Sequence, residues 1–135
     1  REVSAPINLH WGYDNRTTGL RVPDAAPKNY RIENRFPGAD VNPYLAIAAT
    51  LLCGYLGMKN KIQPSEAYEG NAYEEDVDVP RTLEEALRGL QDDQDIIDIF
   101  GEKFIQLYTS IKLVEFEEFN RVISSWEREH LLLNV

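Results

Sequence analysis

The stretch Tyr30-Arg31-Ile32-Glu33-Asn34-Arg35-Phe36 determines how the rest of the chain is interpreted. In a strand, successive side chains point to opposite faces, so the even-numbered residues, which are mostly apolar, share one face. Arg31, Glu33 and Arg35 share the other face, about 6.5–7 Å apart. A carboxylate binds a hard cation through oxygen, and guanidiniums bind phosphate or carboxylate in bidentate geometry. The stretch therefore indicates an anion site with a metal, or a solvated face whose charges pair with one another.

Composition places the chain among ordinary globular proteins. It has 135 residues, of which 43% are apolar and 27% charged, enough for one domain with a real core. The net charge of -9 argues against nucleic acid or an anionic membrane as the partner. The single cysteine, Cys53, excludes an internal disulfide and is typical of a reducing compartment, so we expect a cytoplasmic location.

Neither a membrane-spanning apolar run nor a signal peptide is found in the sequence. The chain begins at Arg1 without methionine, so we expect a fragment of a longer protein.

The first third of the chain predicts sheet segments that carry positive charge. Strict alternation from Val3 to Tyr13 predicts a half-buried strand. A turn beginning at Asp14 leads to a second short strand, which Pro23 ends. With residues 30–36 these make three sheet segments. Against an acidic chain, their basic residues form a local cluster that points to phosphates: Arg16, Arg21, Lys28, Arg31 and Arg35.

A buried helix is predicted next. Asn42-Pro43 is typical of a helix start, and the run from Tyr44 to about Gly57 is apolar nearly all round, so we expect it to be buried. Cys53 lies in this run, and we interpret it as a core residue. Lys59 to Arg81 has little periodicity and predicts a long loop that is functional or covered by another surface.

The remaining sequence predicts three more helices. Thr82 and Glu85 form a capping-box pattern that opens a helix through about Leu90. Amphipathic patterns predict helices over Gln94–Ile111 and Val114–Leu131. The apolar end, residues 131–135, is expected to dock on another surface. The fold class predicted is α+β, with short antiparallel sheet segments in the N-terminal third followed by packed helices.

Several motifs, in order and at matching spacings, resemble one enzyme family. They are Asn15-Arg16, Arg21-Val22-Pro23, the run from Arg31 to Asp40, and Asn42-Pro43-Tyr44-Leu45-Ala46. Together they resemble the C-terminal part of the glutamine synthetase catalytic domain, and the resemblance extends over residues 1–135. It implies one domain portion in which residues 1–40 supply strands carrying active-site residues and residues 41–135 are mainly helical.

The resemblance implies an ATP-dependent ligase that joins the γ-carboxylate of glutamate to an amine, ammonia or a polyamine, through γ-glutamyl phosphate. It also implies Mg²⁺ or Mn²⁺ ions, held between neighbouring subunits of a homo-oligomeric ring. Glu33 matches a metal ligand, and Arg35 matches the arginine that holds the glutamate carboxyl group. Arg16 and Arg21 match arginines that contact the transferring phosphate and the nucleotide phosphates. Lys28 and Arg31 match residues that line the nucleotide site.

The sequence also departs from the family pattern. The family's other metal ligands have no counterpart, so we expect the isolated fragment to bind metal poorly and to be inactive alone. The family's flap glutamate falls on Ser4, with Glu2 close by, which makes an amine other than ammonia plausible. Trp11-Gly12 and the run Trp126-Glu127-Arg128-Glu129 resemble the γ-glutamylputrescine (polyamine) branch.

Two further expectations concern regulation and loss of activity. Tyr73 falls near a tyrosine that some members adenylylate, but the surrounding Leu-Pro-Pro context is missing, so we predict no such regulation. The alternative to an enzyme is a non-catalytic, ring-forming homologue. Loss of the arginines or of Glu33 would favour that alternative, and none of them is lost.

Overall fold

The computed structural model describes residues 4–132. The chain folds as two compact units whose boundary falls between Val79 and Pro80. Short strands and one long helix form the first unit, and four helices are described in the second, which confirms the predicted α+β class. In chain order the elements are β1 Trp11–Tyr13, β2 Leu20–Val22, β3 Glu33–Asn34, α1 Pro43–Lys59, α2 Leu83–Asp92, α3 Gln94–Phe100, α4 Glu102–Asn120 and α5 Ser125–His130, with 3-10 turns at Pro27–Asn29 and Ala72–Glu74.

The sheet of the first unit has the order β1-β2-β3. β2 and β3 are antiparallel, with Leu20 opposite Asn34 and Arg21 opposite Glu33. We expected antiparallel pairing throughout, but β1 and β2 run parallel. The expected strand end at Pro23 is confirmed, because β2 stops at Val22.

The strand predicted from Val3 to Tyr13 is wrong over most of its length. Only Trp11–Tyr13 joins the sheet, and Val3 lies outside the described residues. Ile7 and Asn8, which precede β1, bond to a distant loop instead of a neighbouring strand. The carbonyl of Ile7 accepts from the amide of Asp78 at 3.0 Å, and the buried Asn8 donates through Nδ2 to the carbonyl of Ala72 at 2.7 Å. The hydrogen-bond partners of Ile7 and Asn8 therefore lie in residues 72–78. The alternating pattern alone assigned these two residues to a strand because it contains no information on distant partners.

Helix α1 begins where the sequence predicts, because Asn42 accepts from the amides of Tyr44 and Leu45 and Pro43 occupies the first helical position. Its predicted burial is wrong within the described residues: Leu52 is buried, but Tyr44 is 84% and Leu51 69% exposed. Three strands of two or three residues are too small to cover an all-round apolar helix of 17 residues. The core assignment of Cys53 fails for the same reason, since this residue is exposed.

The segment after α1 is the long loop that the sequence predicts, with a 3-10 turn at Ala72–Glu74. It lies against β1. The amide of Tyr68 donates to the carbonyl of Trp11 at 2.8 Å, and the indole of Trp11 donates to the carbonyl of Ser65 at 2.9 Å. Gly12 allows this approach, because a Cβ there would lie 2.8 Å from the carbonyl oxygen of Tyr68.

In the second unit Thr82 caps α2 as predicted, accepting from the amide of Glu85 at 3.1 Å. The reciprocal half of the predicted capping box is wrong, because the carboxylate of Glu85 accepts from the amide of Arg81 at 2.8 Å. The helix predicted over Gln94–Ile111 is wrong: Gly101, at φ 86°, separates α3 from α4. The helix predicted over Val114–Leu131 is also wrong. α4 continues to Asn120, and α5 begins at a capping box made by Ser124 and Glu127.

The core of the second unit is small. Leu87 and Ile105 are buried together with the hydroxyl-bearing Thr109. At the chain's end, Leu131 and Leu132 are 48% and 63% exposed, while residues 133–135 lie outside the described part. Docking of the apolar end therefore stays a prediction.

Candidate functional site

The site is organised by the pairing of β2 with β3. Arg21 and Glu33 are directly opposite each other in this antiparallel pair, and residues so placed have neighbouring side chains on one face. Nη1 of Arg21 donates to Oε2 of Glu33 at 2.7 Å. The Arg21 side chain is only 13% exposed and that of Glu33 33%. Strand pairing therefore fixes one end of the guanidinium before any ligand is considered.

Asp14 binds the other end of the same guanidinium. Nη2 of Arg21 donates to Oδ1 of Asp14, the first residue after β1. Asp14 has a left-handed backbone, with φ 46°, and its amide donates to the carbonyl of Val22 at 2.9 Å. Aspartate is among the few residues that adopt this conformation readily. A carboxylate on each terminal nitrogen thus fixes the orientation of Arg21.

These contacts shift the three pKa values in the directions that ion pairing requires. Hydrogen bonding to Arg21 lowers the pKa of Asp14 and is also the largest cause of the lowered pKa of Glu33. The two carboxylates in turn raise the pKa of Arg21, with the bond to Asp14 the larger cause. Both acids are therefore ionised at neutral pH, and the cluster is a true acid–guanidinium–acid arrangement.

Arg31 binds the second oxygen of Glu33, with Nη2 at 3.2 Å from Oε1. Its side chain is 55% exposed, so it keeps donors available to solvent or to a ligand. Arg31 also lines an open cavity of about 730 Å³. The other lining residues are Tyr13, Asp14, Val22, Pro23, Asp24, Tyr30 and Ile32.

Arg16 and Lys28 stand apart from this cluster. Arg16 lines a second cavity of about 500 Å³, together with residues 13–15 and residues 67–70 of the long loop. Tyr13 and Asp14 line both cavities, so the two are adjacent. Lys28 is an exposed residue of the 3-10 turn Pro27–Asn29. The structure therefore brings Arg21, Arg31 and Glu33 into contact, with Arg16 in the neighbouring cavity.

Arg35 is not in contact with Glu33. Its guanidinium donates to the backbone carbonyl of Thr18 at 2.7 Å and to that of Ser4 at 2.9 Å. The apolar side of the stretch is not covered by the described residues either, because Tyr30 is 67% and Ile32 69% exposed. The strand predicted over residues 30–36 is therefore wrong over most of its length, because β3 covers only Glu33–Asn34. Arg31 and Glu33 are still in contact, while Arg35 is bound to backbone carbonyls of Thr18 and Ser4.

A divalent ion does not fit the described residues by themselves. Within residues 4–132, no three His, Cys, Asp or Glu side chains are grouped so that they could hold a metal. Both oxygens of Glu33 accept from arginines. Glu33 could supply one ligand, but one carboxylate is far fewer than the six oxygens that Mg²⁺ prefers.

Sequence reasoning missed two residues that shape this site. Asp14 was interpreted only as the start of a turn, although an Asp-Asn pair after a strand is a signal for a left-handed residue. Asn15 joins the turn to the long loop by donating to the carbonyls of Tyr68 at 3.3 Å and Gly70 at 2.9 Å. Those partners lie more than fifty positions away, so no local pattern could reveal them.

Comparison with known proteins shows the family of the chain. The family model "Glutamine synthetase, catalytic domain" matches residues 1–131. The chain belongs to the glutamine synthetase family. It is 40% identical over 124 residues to a glutamate–isopropylamine ligase from a Pseudomonas species, covering 89% of this chain and 27% of the ligase.

Two other proteins match most of the chain. A γ-glutamylputrescine synthetase, PuuA of Escherichia coli strain K12, is 36% identical over 131 residues, covering 96% of this chain and 28% of the synthetase. The solved structure described as apo GmaS without ligand superposes with a TM-score of 0.79 at 28% identity, covering 95% of this chain and 30% of that one. The chain therefore spans less than a third of the length of these relatives. In the described part of the chain, no helix is both long and apolar enough to cross a bilayer.

Proposed function

We propose that the chain acts as the C-terminal portion of the catalytic domain of an ATP-dependent glutamate–amine ligase, and that it is inactive without the rest of the ligase. The observation that carries this proposal is the orientation of Arg21, which is bound at both terminal nitrogens by Asp14 and Glu33, with Asp14 and Arg31 lining one cavity. Membership of a family whose relatives are named as ligases for glutamate and amines supports the reaction class.

The arginines supply what phosphoryl transfer needs most. Transfer from ATP to the γ-carboxylate of glutamate spreads negative charge over phosphate oxygens, and catalysis consists mainly of positioning and charge neutralisation. Arg21 has five N–H donors, of which the ion pairs use two and one, at Nε, is buried, so one further donor remains on each terminal nitrogen. Arg31, which is 55% exposed, contacts a single carboxylate oxygen. We assign Arg21, Arg31 and Lys28 to the nucleotide and its phosphates, and Arg16 to the transferring phosphate.

Arg35 and Glu33 complete the assignment. In this proposal Arg35 binds the carboxyl group of glutamate that becomes phosphorylated. Glu33 supplies one oxygen ligand to a Mg²⁺ or Mn²⁺ ion whose other ligands lie outside this chain. The family resemblance also supports a homo-oligomeric ring in the cytoplasm, with sites shared between neighbouring subunits.

The amine is the open part of the reaction. Ammonia is the substrate that the family's name implies, and a polyamine is the alternative. Trp11-Gly12 and the run 126–129 support the polyamine branch, and the Escherichia coli relative is named for putrescine. The name of the Pseudomonas relative adds a monoamine to the candidates.

Phosphate release by the full-length protein tests the proposal. With ATP, glutamate, Mg²⁺ and a panel of ammonia, isopropylamine and putrescine, we expect amine-dependent release of phosphate. If ATP raises the melting temperature but no amine supports turnover, the protein is a non-catalytic homologue. A protein that neither turns over nor responds to ATP would rule out both assignments.

Arg35 needs a test of its own because it binds two backbone carbonyls. Arg35→Ala should lower turnover by about 100-fold if the guanidinium holds the reacting carboxyl group, since a charged hydrogen bond contributes about 1.5–3 kcal/mol. The melting temperature of the same variant is the control. If turnover falls only in proportion to the folded fraction, Arg35 has a structural role alone.

A further inference from the structure

Asp14 has a geometry that the proposed function does not use. Its carboxylate is 59% exposed, yet it contacts Arg21, whose side chain is only 13% exposed. A carboxylate beside a phosphate-binding arginine should weaken phosphate binding by charge repulsion. Its contact with Arg21 therefore needs another explanation than ligand binding.

The backbone of Asp14 points to that explanation. A left-handed conformation costs an L-residue about 1–2 kcal/mol relative to the right-handed one. At φ 46°, Asp14 is held in it by the bond from its amide to the carbonyl of Val22, which directly follows Arg21 in β2. The turn after β1 is thus bonded to β2 twice, through the backbone at Val22 and through the side chain at Arg21.

The second terminal nitrogen of Arg21, Nη2, is held by its hydrogen bond to Asp14. Glu33 binds Nη1, and the buried Nε has no hydrogen-bond partner among the described residues. Without Asp14, Nη2 would lose its anchor and the guanidinium could rotate about the remaining bond. Asp14 also lines both cavities, so Asp14 lies at their common edge.

We infer that Asp14 is a positioning residue, which holds the guanidinium of Arg21 in the orientation that receives the nucleotide phosphates. Asp14 itself does not bind the nucleotide. It lowers the cost of ordering Arg21 when a phosphate arrives, because the side chain is already fixed by two carboxylates. The inference rests on the proposed function, in which Arg21 binds phosphate.

Two substitutions separate the side chain of Asp14 from its backbone. Asp14→Gly removes the carboxylate and suits a positive φ. Asp14→Asn tolerates the same backbone and keeps an acceptor oxygen without the charge. The matched control is Lys61→Gly, because Lys61 is also left-handed, at φ 53°, but lines neither cavity.

A double-mutant cycle on MgATP affinity, measured by calorimetry on the full-length protein without glutamate or amine, tests the inference. We expect Asp14→Gly to raise Kd about tenfold and Asp14→Asn about two- to threefold, with Lys61→Gly within twofold of wild type. In the Arg21→Ala background, Asp14→Gly should change Kd less than twofold, because Asp14 acts through Arg21.

The outcomes distinguish the inference from the proposed function. If Arg21→Ala weakens MgATP binding but Asp14→Gly does not, the positioning role is wrong and the function stands. Equal effects of Asp14→Gly in both backgrounds would mean that Asp14 acts on the fold rather than on Arg21, which also overturns the inference. If the wild-type protein does not bind MgATP, the proposed function fails, and the inference fails with it.

Discussion

The side-chain hydrogen bonds within the two units differ in how far apart along the chain their partners lie. Among residues 4–79, several side-chain hydrogen bonds join distant parts of the chain, such as Asn8 to Ala72, 64 positions apart, beside local ones. Among residues 80–132, His130 set aside, the side-chain hydrogen bonds join residues three or four positions apart, such as Arg121 to Glu118. The site lies in the unit with distant contacts. A precise anion site thus depends on chain segments that only the fold brings together, whereas a packing helix can be specified locally.

The largest effect that tests this difference is expected at Asn8. Asn8→Ala leaves the carbonyl of Ala72 without its 2.7 Å partner in a fully buried position, at a cost of about 2 kcal/mol. Hydrogen exchange of the full-length protein should show faster exchange over residues 65–75. The matched control is Asn71→Ala, which removes an exposed local bond to the amide of Tyr73. Equal acceleration by the two variants would contradict the long-range role of Asn8.

A pair of threonines compares the two units directly. Thr17 accepts from the amide of Ala72 at 2.9 Å, 55 positions away, while Thr82 caps α2 three positions away. Thr17→Ala should destabilise residues 68–74 by about 1–2 kcal/mol, and Thr82→Ala should cost about 1 kcal/mol, confined to the first turn of α2. Hydrogen exchange measures both. The comparison fails if Thr17→Ala changes exchange only around residue 17.

This contrast explains what the sequence could and could not predict. The caps at Asn42 and Thr82 were predicted correctly, because a cap is a contact within one turn. The Val3–Tyr13 strand and the burial of α1 were wrong, since alternation and apolarity reveal nothing about which distant segment is available as a partner.

The site follows the same rule. The closeness of Arg31 to Glu33 was predicted from their spacing, and the structure has these two residues in contact, whereas Arg16 and Lys28 of the predicted basic cluster stand apart. The contact of Arg21 with Asp14 depends on a left-handed turn and on the register of β1 with β2, which a period-two pattern does not specify. Gly101 was missed for a related reason. A glycine inside an apolar stripe predicts a break only when its positive φ is known.

The smallest expected effect is the pH dependence of a local contact. Bonds from the backbone and side chain of Ser124 lower the pKa of Glu127 in the capping box of α5. A carboxyl whose pKa is lower in the folded state stabilises the fold fully above its unfolded pKa, about 4.3, and loses this contribution as pH falls through its folded pKa. The melting temperature of wild type should therefore exceed that of Glu127→Gln by a constant amount above pH 6 and by less below pH 4. A difference that grows on acidification would contradict this.

The central claim is tested by measuring the MgATP affinity of the full-length protein in two variants, Arg21→Ala and Arg121→Ala. Both arginines form ion pairs with a glutamate at 2.7 Å, Arg21 across two strands and Arg121 within one helix. If the carboxylate-held guanidinium of Arg21 binds nucleotide phosphate, Arg21→Ala should raise the Kd for MgATP at least tenfold, and Arg121→Ala should leave it within twofold of wild type. Equal Kd values for the two variants would contradict the account.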